Sequence, residues 1–354
     1  MQLQLLRLLP VKKRIVFYSG RKNDELDSNA LALFGFVHGN KAVCAKKKKE
    51  LTKWERLRFA WLLATSQVIV TDDYCWLLKY FPLKKKQRVI QIWHACGAFK
   101  KFGLDGSTLT DKVEKATHAQ YSLVAVSGDG VREVYAKAFD IPLERVQALG
   151  IPRTDALLDT VATEHARECV YEKHPEWRNK HVIQYAPTFR DIKGKSRTCF
   201  EPVLDFDRLS DSLAPDQVFV ITPHPVMTNP IVSKAYSNIC VVRDVSTYDV
   251  FNVSEQLITD YSSVIFEYAL LKKPIAFYCY DLEEYSRGFY LRYPEDLPGP
   301  VFRSQSELEK YLSESTKVNA VDYSAAFIRK YMSSCDGHSS ERIADIINKY
   351  IEAQ

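Results

Sequence analysis

Short apolar runs rich in Val and Ile recur along the chain at 15–19, 68–71, 89–93, 123–127 and 146–150, then at 182–187, 218–223, 239–242, 256–259 and 275–278. They do not alternate strictly with polar residues, which is the pattern of strands buried on both faces of a parallel sheet. Between them lie segments of helical character, among them 54–64, 130–139 and 262–271. Strand–helix alternation implies right-handed crossovers and doubly wound sheets. Five strands on either side of a polar, helix-prone stretch at 159–178 predict an α/β protein of two Rossmann-like domains facing a cleft.

Length agrees, since 354 residues exceed what one hydrophobic core usually serves. The predicted domains are 1–160 and 161–354, the second carrying the final helix near 339–351. No apolar stretch is long enough to span a bilayer. The Leu-rich start has its basic residues after the apolar part, unlike a secretory signal. Eight cysteines without paired C-x-x-C spacing argue against a zinc ribbon or disulfide framework and favour a cytoplasmic location.

Charge adds an asymmetry. Residues 1–160 hold 27 Lys/Arg against 16 Asp/Glu, a net of +11, and the remainder holds 22 against 28, a net of −6. The lysine runs 46–49 and 84–86 lie in the basic half, and segment 46–63 joins the first run to Trp54, Phe59 and Trp61. Basic residues beside aromatics suit an anionic membrane surface, although a helix packed on the first sheet gives the same pattern.

Open parallel sheets bind ligands beyond the carboxyl ends of their strands. His94 follows run 89–93 and precedes Ala95, Cys96 and Gly97, with Lys100 and Lys101 close behind. An imidazole there suits proton acceptance from an attacking hydroxyl, and Gly97, Lys100 and Lys101 are candidate acceptor-side residues. Thr188 and Arg190 follow run 182–187, with Lys195 beyond, and His224 stands between Pro223 and Pro225. Thr259, Asp260, Ser262 and Ser263 close run 256–259 and open a helix carrying Glu267, and Arg287 is a further cation. Arg190, Lys195, His224, Thr259, Ser262, Ser263 and Arg287 are phosphate-binding types at ligand-facing positions. Asp260 would repel phosphate, so it is expected to face a hydroxyl or a cation. Asp205-x-Asp207 reads as helix entry. No cluster has metal-ligand spacing, so no cofactor is expected, with Mg2+ beside a pyrophosphate left open.

The stretches Gln91-Ile92-Trp93-His94-Ala95-Cys96-Gly97, Gly150-Ile151-Pro152-Arg153-Thr154-Asp155, Tyr185-Ala186-Pro187-Thr188-Phe189-Arg190-Asp191, His224-Pro225 and Thr259-Asp260-Tyr261-Ser262-Ser263 occur in order. Arg287-Gly288-Phe289-Tyr290 and Asp336-Gly337 through Arg342 follow. Together they resemble the CDP-glycerol glycerophosphotransferase family of teichoic acid and capsule synthesis. The resemblance implies a GT-B-like fold, a CDP-glycerol or CDP-ribitol donor, CMP as leaving group, and a lipid-linked acceptor at the inner membrane face. It implies His94 as base with His224 as a second catalytic group. Arg190, Lys195, His224, Ser262 and Ser263 would then hold donor phosphates, and Asp260 and Glu267 the polyol or nucleoside. Ala95-Cys96-Gly97 is similar to members that handle ribitol-phosphate. A nucleotide-sugar transferase or epimerase of the same fold is the competing enzyme reading. A non-catalytic binder of anionic polymer is the other alternative, and nucleic acid is not expected as a partner.

Overall fold

The computed structural model describes residues 5, 6, 8–80, 82–106, 112–190, 203–285, 288–315 and 324–353. The chain forms two compact units, Met1–Ala156 with Arg329–Gln354, and Leu157–Ile328. The first contains β1 (Lys12–Ser19), β2 (Lys41–Ala45), β3 (Ser66–Thr71), β4 (Arg88–Gln91), β5 (Leu123–Val126) and β6 (Val146–Ala148). They form one parallel sheet in the order β2-β1-β3-β4-β5-β6. The second unit contains β7 (His181–Ala186), β8 (Gln217–Ile221), β9 (Ile239–Val241), β10 (Gln256–Thr259), β11 (Ile275–Tyr278) and β12 (Val301–Phe302). Its parallel sheet runs β12-β11-β10-β7-β8-β9.

Every strand the apolar runs predicted is present. The two the runs did not reveal, β2 and β12, are both edge strands. β2 is half-buried over its first three residues and β12 has only two residues, so neither shows a fully buried run. In the second sheet, Ile183, Tyr185, Phe219 and Ile221 enter one core, with Leu209, Leu308 and Leu312. Val182, Val218 and Val220 enter the other, with Val170, Trp177 and Val250. Successive strand residues point to opposite faces, so two covered faces require continuous apolar runs. Asp205 caps the helix Phe206–Ser212, accepting from the Asp207 and Arg208 N–H groups, as expected of helix entry.

The final helix departs from the predicted division at residue 160. Ser339–Glu352 returns to the first unit, where Ile343, Ala344 and Ile347 bury beside Ile15, Phe17, Val68 and Val70. Its apolar stripe would suit either sheet, and what selects the first is the turn after β6. Gly150 there has φ of 87°, and a Cβ on it would collide with Ser339 and the Ser334 carbonyl. Asp155 accepts from the backbone N–H groups of Ser339 (3.0 Å) and Ser340 (2.7 Å), capping the helix from 184 positions away. Arg342 answers by donating to the Leu149 carbonyl. The Gly150–Asp155 motif is therefore a docking device for the last helix.

Replacing a carboxylate cap by alanine costs about 0.5–2 kcal/mol. Asp155→Ala should lower the urea midpoint of the first unit accordingly, and Asp155→Asn should lower it less. An unmoved midpoint in Asp155→Ala would mean that apolar contacts alone seat the helix.

Candidate active site

The chain leaving β4 turns sharply at Trp93, whose φ of 47° is unusual for a bulky side chain and must be held by its surroundings. Its N–H donates to Gln91 Oε1 (2.9 Å), and its carbonyl accepts from Asn29 Nδ2 (2.8 Å). Gly97, with φ of 59°, donates to Ser127 Oγ (3.3 Å) and accepts from the Tyr135 hydroxyl (2.9 Å). Arg153 donates to the His94 carbonyl at 2.7 Å. His94 is thus carried on a loop gripped from three sides. Its Nδ1 lies 3.2 Å from the backbone carbonyl of Asp72 and 3.9 Å from Asp73 Oδ1. A carbonyl oxygen only accepts, so neutral His94 carries its proton on Nδ1 and its lone pair on Nε2. Burial pulls its pKa down to about 4, against the upward pull of Asp73 and with Arg21 and Arg153 assisting the fall. The ring is a neutral base throughout the physiological range.

In the second unit the carboxyl ends of β7, β10 and β11 are tied by one carboxylate. Asp260 has no exposed surface. It accepts from the N–H groups of Thr188 (2.9 Å) and Tyr261 (2.7 Å) and from Arg190 Nη1 (2.8 Å). Arg190 also donates through Nε (2.6 Å) and Nη2 (3.0 Å) to Asp281, and through Nη1 to the Thr188 carbonyl (2.6 Å). Burial depresses the Arg190 pKa, but Asp260 and Asp281 outweigh it and hold the guanidinium charged. The ring of Tyr261 flanks it at 5.0 Å.

Asp260 faces the protein's own Arg190 and, with no exposed surface, offers no oxygen to a donor's polyol or nucleoside. Arg190 differs from expectation: all three nitrogens of its fork are engaged by protein carboxylates and a carbonyl, so it braces the strand ends rather than offering a fork to phosphate. Thr259 differs too, since it is fully buried with its hydroxyl donated to the Ala186 carbonyl (2.7 Å), inside the sheet. Glu267 is buried in the helix Val264–Leu270. Ser263 is the cap residue of that helix without a side-chain cap bond, and Ser262 Oγ accepts weakly from Val264 N–H (3.4 Å). Both serines keep some exposure. His224 is exposed, and its Nδ1 accepts from Val226 N–H (3.2 Å), which places the proton of the neutral ring on Nε2. The two histidines thus hold opposite tautomers, His94 accepting and His224 donating at Nε2. Lys100 is half-buried and Lys101 exposed. Lys195 and Arg287 lie outside the described residues.

Three site residues escaped the sequence reading: Asp72, Asp73 and Asp281. Asp72 and Asp73 are the first two residues after run 68–71 and Asp281 is the third after run 275–278, so the rule that located His94 points to them as well. Among the described residues no group of three or more His, Cys, Asp or Glu side chains is placed to hold a metal ion.

Comparison with known proteins follows the same lines. A family model described as CDP-glycerol:poly(glycerophosphate) glycerophosphotransferase matches residues 2–349. The chain is 34% identical over 360 residues to a teichoic acid poly(ribitol-phosphate) polymerase of Bacillus spizizenii, covering 96% of this chain and 57% of the polymerase. It is 36% identical over 302 residues to a teichoic acid ribitol-phosphate primase of the same organism, covering 82% of this chain and 76% of the primase. A solved variant of the wall teichoic acid polymerase TagF superposes with a TM-score of 0.80 at 26% identity, covering 97% of this chain and 90% of that one. The fold is accordingly GT-B-like.

Removing one partner of a buried ion pair costs about 3–5 kcal/mol, because the other charge stays buried. Arg190→Ala should therefore lower the unfolding free energy of the second unit by that order in urea titration. A near wild-type midpoint together with weakened donor affinity would reverse the assignment and make Arg190 a phosphate ligand.

Proposed function

Because the chain belongs to the CDP-glycerol:poly(glycerophosphate) glycerophosphotransferase family, we propose that it transfers a polyol-phosphate from a CDP-polyol donor to the hydroxyl of a lipid-linked acceptor, releasing CMP. The observation that carries the proposal is the tautomer of His94, whose Nδ1 is committed to the Asp72 carbonyl and whose Nε2 is left to take a proton. The acceptor oxygen bonds to the β-phosphorus of the donor, its proton passes to His94 Nε2, and the pyrophosphate P–O bond breaks to release CMP. Negative charge gathers on the leaving phosphate, where the Nε2–H of His224 and the hydroxyls of Ser262 and Ser263 are the donors assigned to it. Lys195 and Arg287 are assigned to the same phosphates on sequence grounds. Asp260 serves this arrangement by fixing the loop backbone at Thr188 and Tyr261. No resident cofactor enters the proposal.

Ribitol-phosphate is the favoured group. The run His94-Ala95-Cys96-Gly97 supports that choice, and the polymerase and primase compared above carry ribitol-phosphate in their names.

Contact with an anionic membrane surface is also proposed, on a patch narrower than the sequence suggested. Phe59 is buried, and Trp61 is half-buried beneath Lys12 and Arg14. Lys46 pairs with Glu55, and Lys84 donates to the carbonyls of Leu9 and Ala64. What remains outward is Trp54, 81% exposed, with Leu57, Lys47, Lys48, Lys49, Lys53 and Arg56. No described helix is long and apolar enough to cross a membrane.

Loss of a general base costs about 10²–10⁴-fold in rate. His94→Ala should lose transfer by that factor while binding CDP-ribitol within about threefold of wild type, the affinity read by calorimetry. In the wild type, kcat/KM should hold down to about pH 5, because the free-enzyme base protonates only near pH 4. An acid limb near pH 6.5, or full activity in His94→Ala, defeats the assignment. Trp54→Ser should weaken sedimentation with phosphatidylglycerol vesicles, and equal sedimentation of both proteins would remove the patch from the proposal.

A further inference from the structure

Beside His94, at the carboxyl ends of β1 and β3, two buried polar atoms of opposite character have no hydrogen-bond partner. One is Asp72 Oδ1, on a side chain only 1% exposed, whose other oxygen accepts from the Ser19 hydroxyl (3.1 Å). The other is Arg21 Nε, on a half-buried side chain that forms no ion pair among the described residues. Orphaned buried atoms are rare, and a pair of them in one strand-end cluster calls for a ligand. The backbone fixes both positions. Arg21 N–H donates to Ser19 Oγ (3.4 Å), and a Cβ on Gly20 would reach 3.6 Å from Asp73 Oδ2, so the β1 loop borders the β3 loop directly. The positive charge of Arg21 is felt by both Asp72 and His94.

We infer that Arg21 and Asp72 form the subsite for the acceptor's terminal polyol-phosphate, Arg21 taking the phosphate and Asp72 a polyol hydroxyl. The inference rests on the transfer reading above and assigns the acceptor end to it. An acceptor extended by polyol-phosphate units presents a free hydroxyl for attack and, one polyol away, an anionic phosphodiester. A base, an unpaired guanidinium and a buried oxygen acceptor on adjacent strand ends match those three features. Burial, opposed by Ser19 and Arg21, pushes the Asp72 pKa up to about 7, so a large share of it is neutral at neutral pH and its repulsion of phosphate is reduced. Arg21 as a guanidinium grips a phosphate in two-point geometry.

The test uses the full chain and sn-glycerol 3-phosphate, inorganic phosphate and glycerol as separate probes in calorimetry, with CMP and CDP-ribitol titrated in parallel. Saturable binding of glycerol 3-phosphate to the wild type is expected. Arg21→Gln should weaken it at least tenfold with CMP and CDP-ribitol affinities unchanged. Asp72→Ala, which removes the acceptor oxygen, should erase the preference for glycerol 3-phosphate over inorganic phosphate, whereas Asp72→Asn, which keeps one, should retain most of it. Absence of saturable binding to the wild type, or an unchanged affinity in Arg21→Gln, overturns the inference. A parallel loss of CDP-ribitol affinity in Arg21→Gln overturns it also, because Arg21 would then hold the donor's phosphate. If glycerol 3-phosphate binds through Arg21 while no CDP-polyol is turned over, the subsite stands and the transfer reading falls. Turnover that is indifferent to Arg21 gives the reverse.

Discussion

A carboxylate stripped of all solvent at the end of a parallel strand dictates the second unit's functional edge. Leaving Asp260 charged and buried demands compensation from every side. It receives two backbone amides and one guanidinium nitrogen. Those partners belong to the segments leaving β7 and β10, and through Arg190 the bond extends to Asp281 beyond β11. Three loops that would otherwise be independent are thereby locked to one another. Ser262 and Ser263 lie directly after this lock, so the orientation of their hydroxyls inherits its rigidity.

The first unit reaches the same end by backbone rather than by charge. His94 sits between two left-handed residues, Trp93 and Gly97, and only one of them is glycine. The cost at Trp93 is offset by the Gln91 and Asn29 side chains, both fully buried. Asn29 also accepts from Arg153 N–H (3.2 Å), and Arg153 holds the His94 carbonyl. The turn that docks the last helix through Asp155 thus also braces the His94 loop through Arg153, which explains why one short motif carries both residues. Local strain is tolerable there because packing that serves stability over-determines the geometry.

Much of this was legible in the sequence, and the failures share a cause. Strand positions follow from continuous apolar runs, and ligand-facing positions follow from strand ends. Both are local, and the runs do place His94, His224 and Asp260 just beyond strand ends. The partner of a side chain is not local. Arg190 reads as a phosphate fork because its type and position suit one, and only the return of Asp281 to its side, 91 residues later, shows the fork engaged. Thr259 likewise loses its hydroxyl to a neighbouring strand that the sequence does not place. Lysine runs mislead in the same way: the 84–86 run contributes Lys84 to carbonyl groups, whereas 47–49 stays in solvent.

The final helix takes this non-locality furthest. Its apolar stripe says that it must bury a face and is silent about which. The choice is made by Asp155 and Gly150, polar and conformational details of a turn nearly two hundred residues earlier. As a result the first unit is discontinuous in sequence, and its core cluster of β1, β3 and β4 residues is complete only when Ile343, Ala344 and Ile347 arrive. Contacts of such sequence separation are closed late, because the entropy of a long loop precedes any gain from the contact. The second unit, Leu157–Ile328, needs no segment from outside itself to fill its two cores. Folding should therefore favour the second unit before the core of the first is sealed by the last helix.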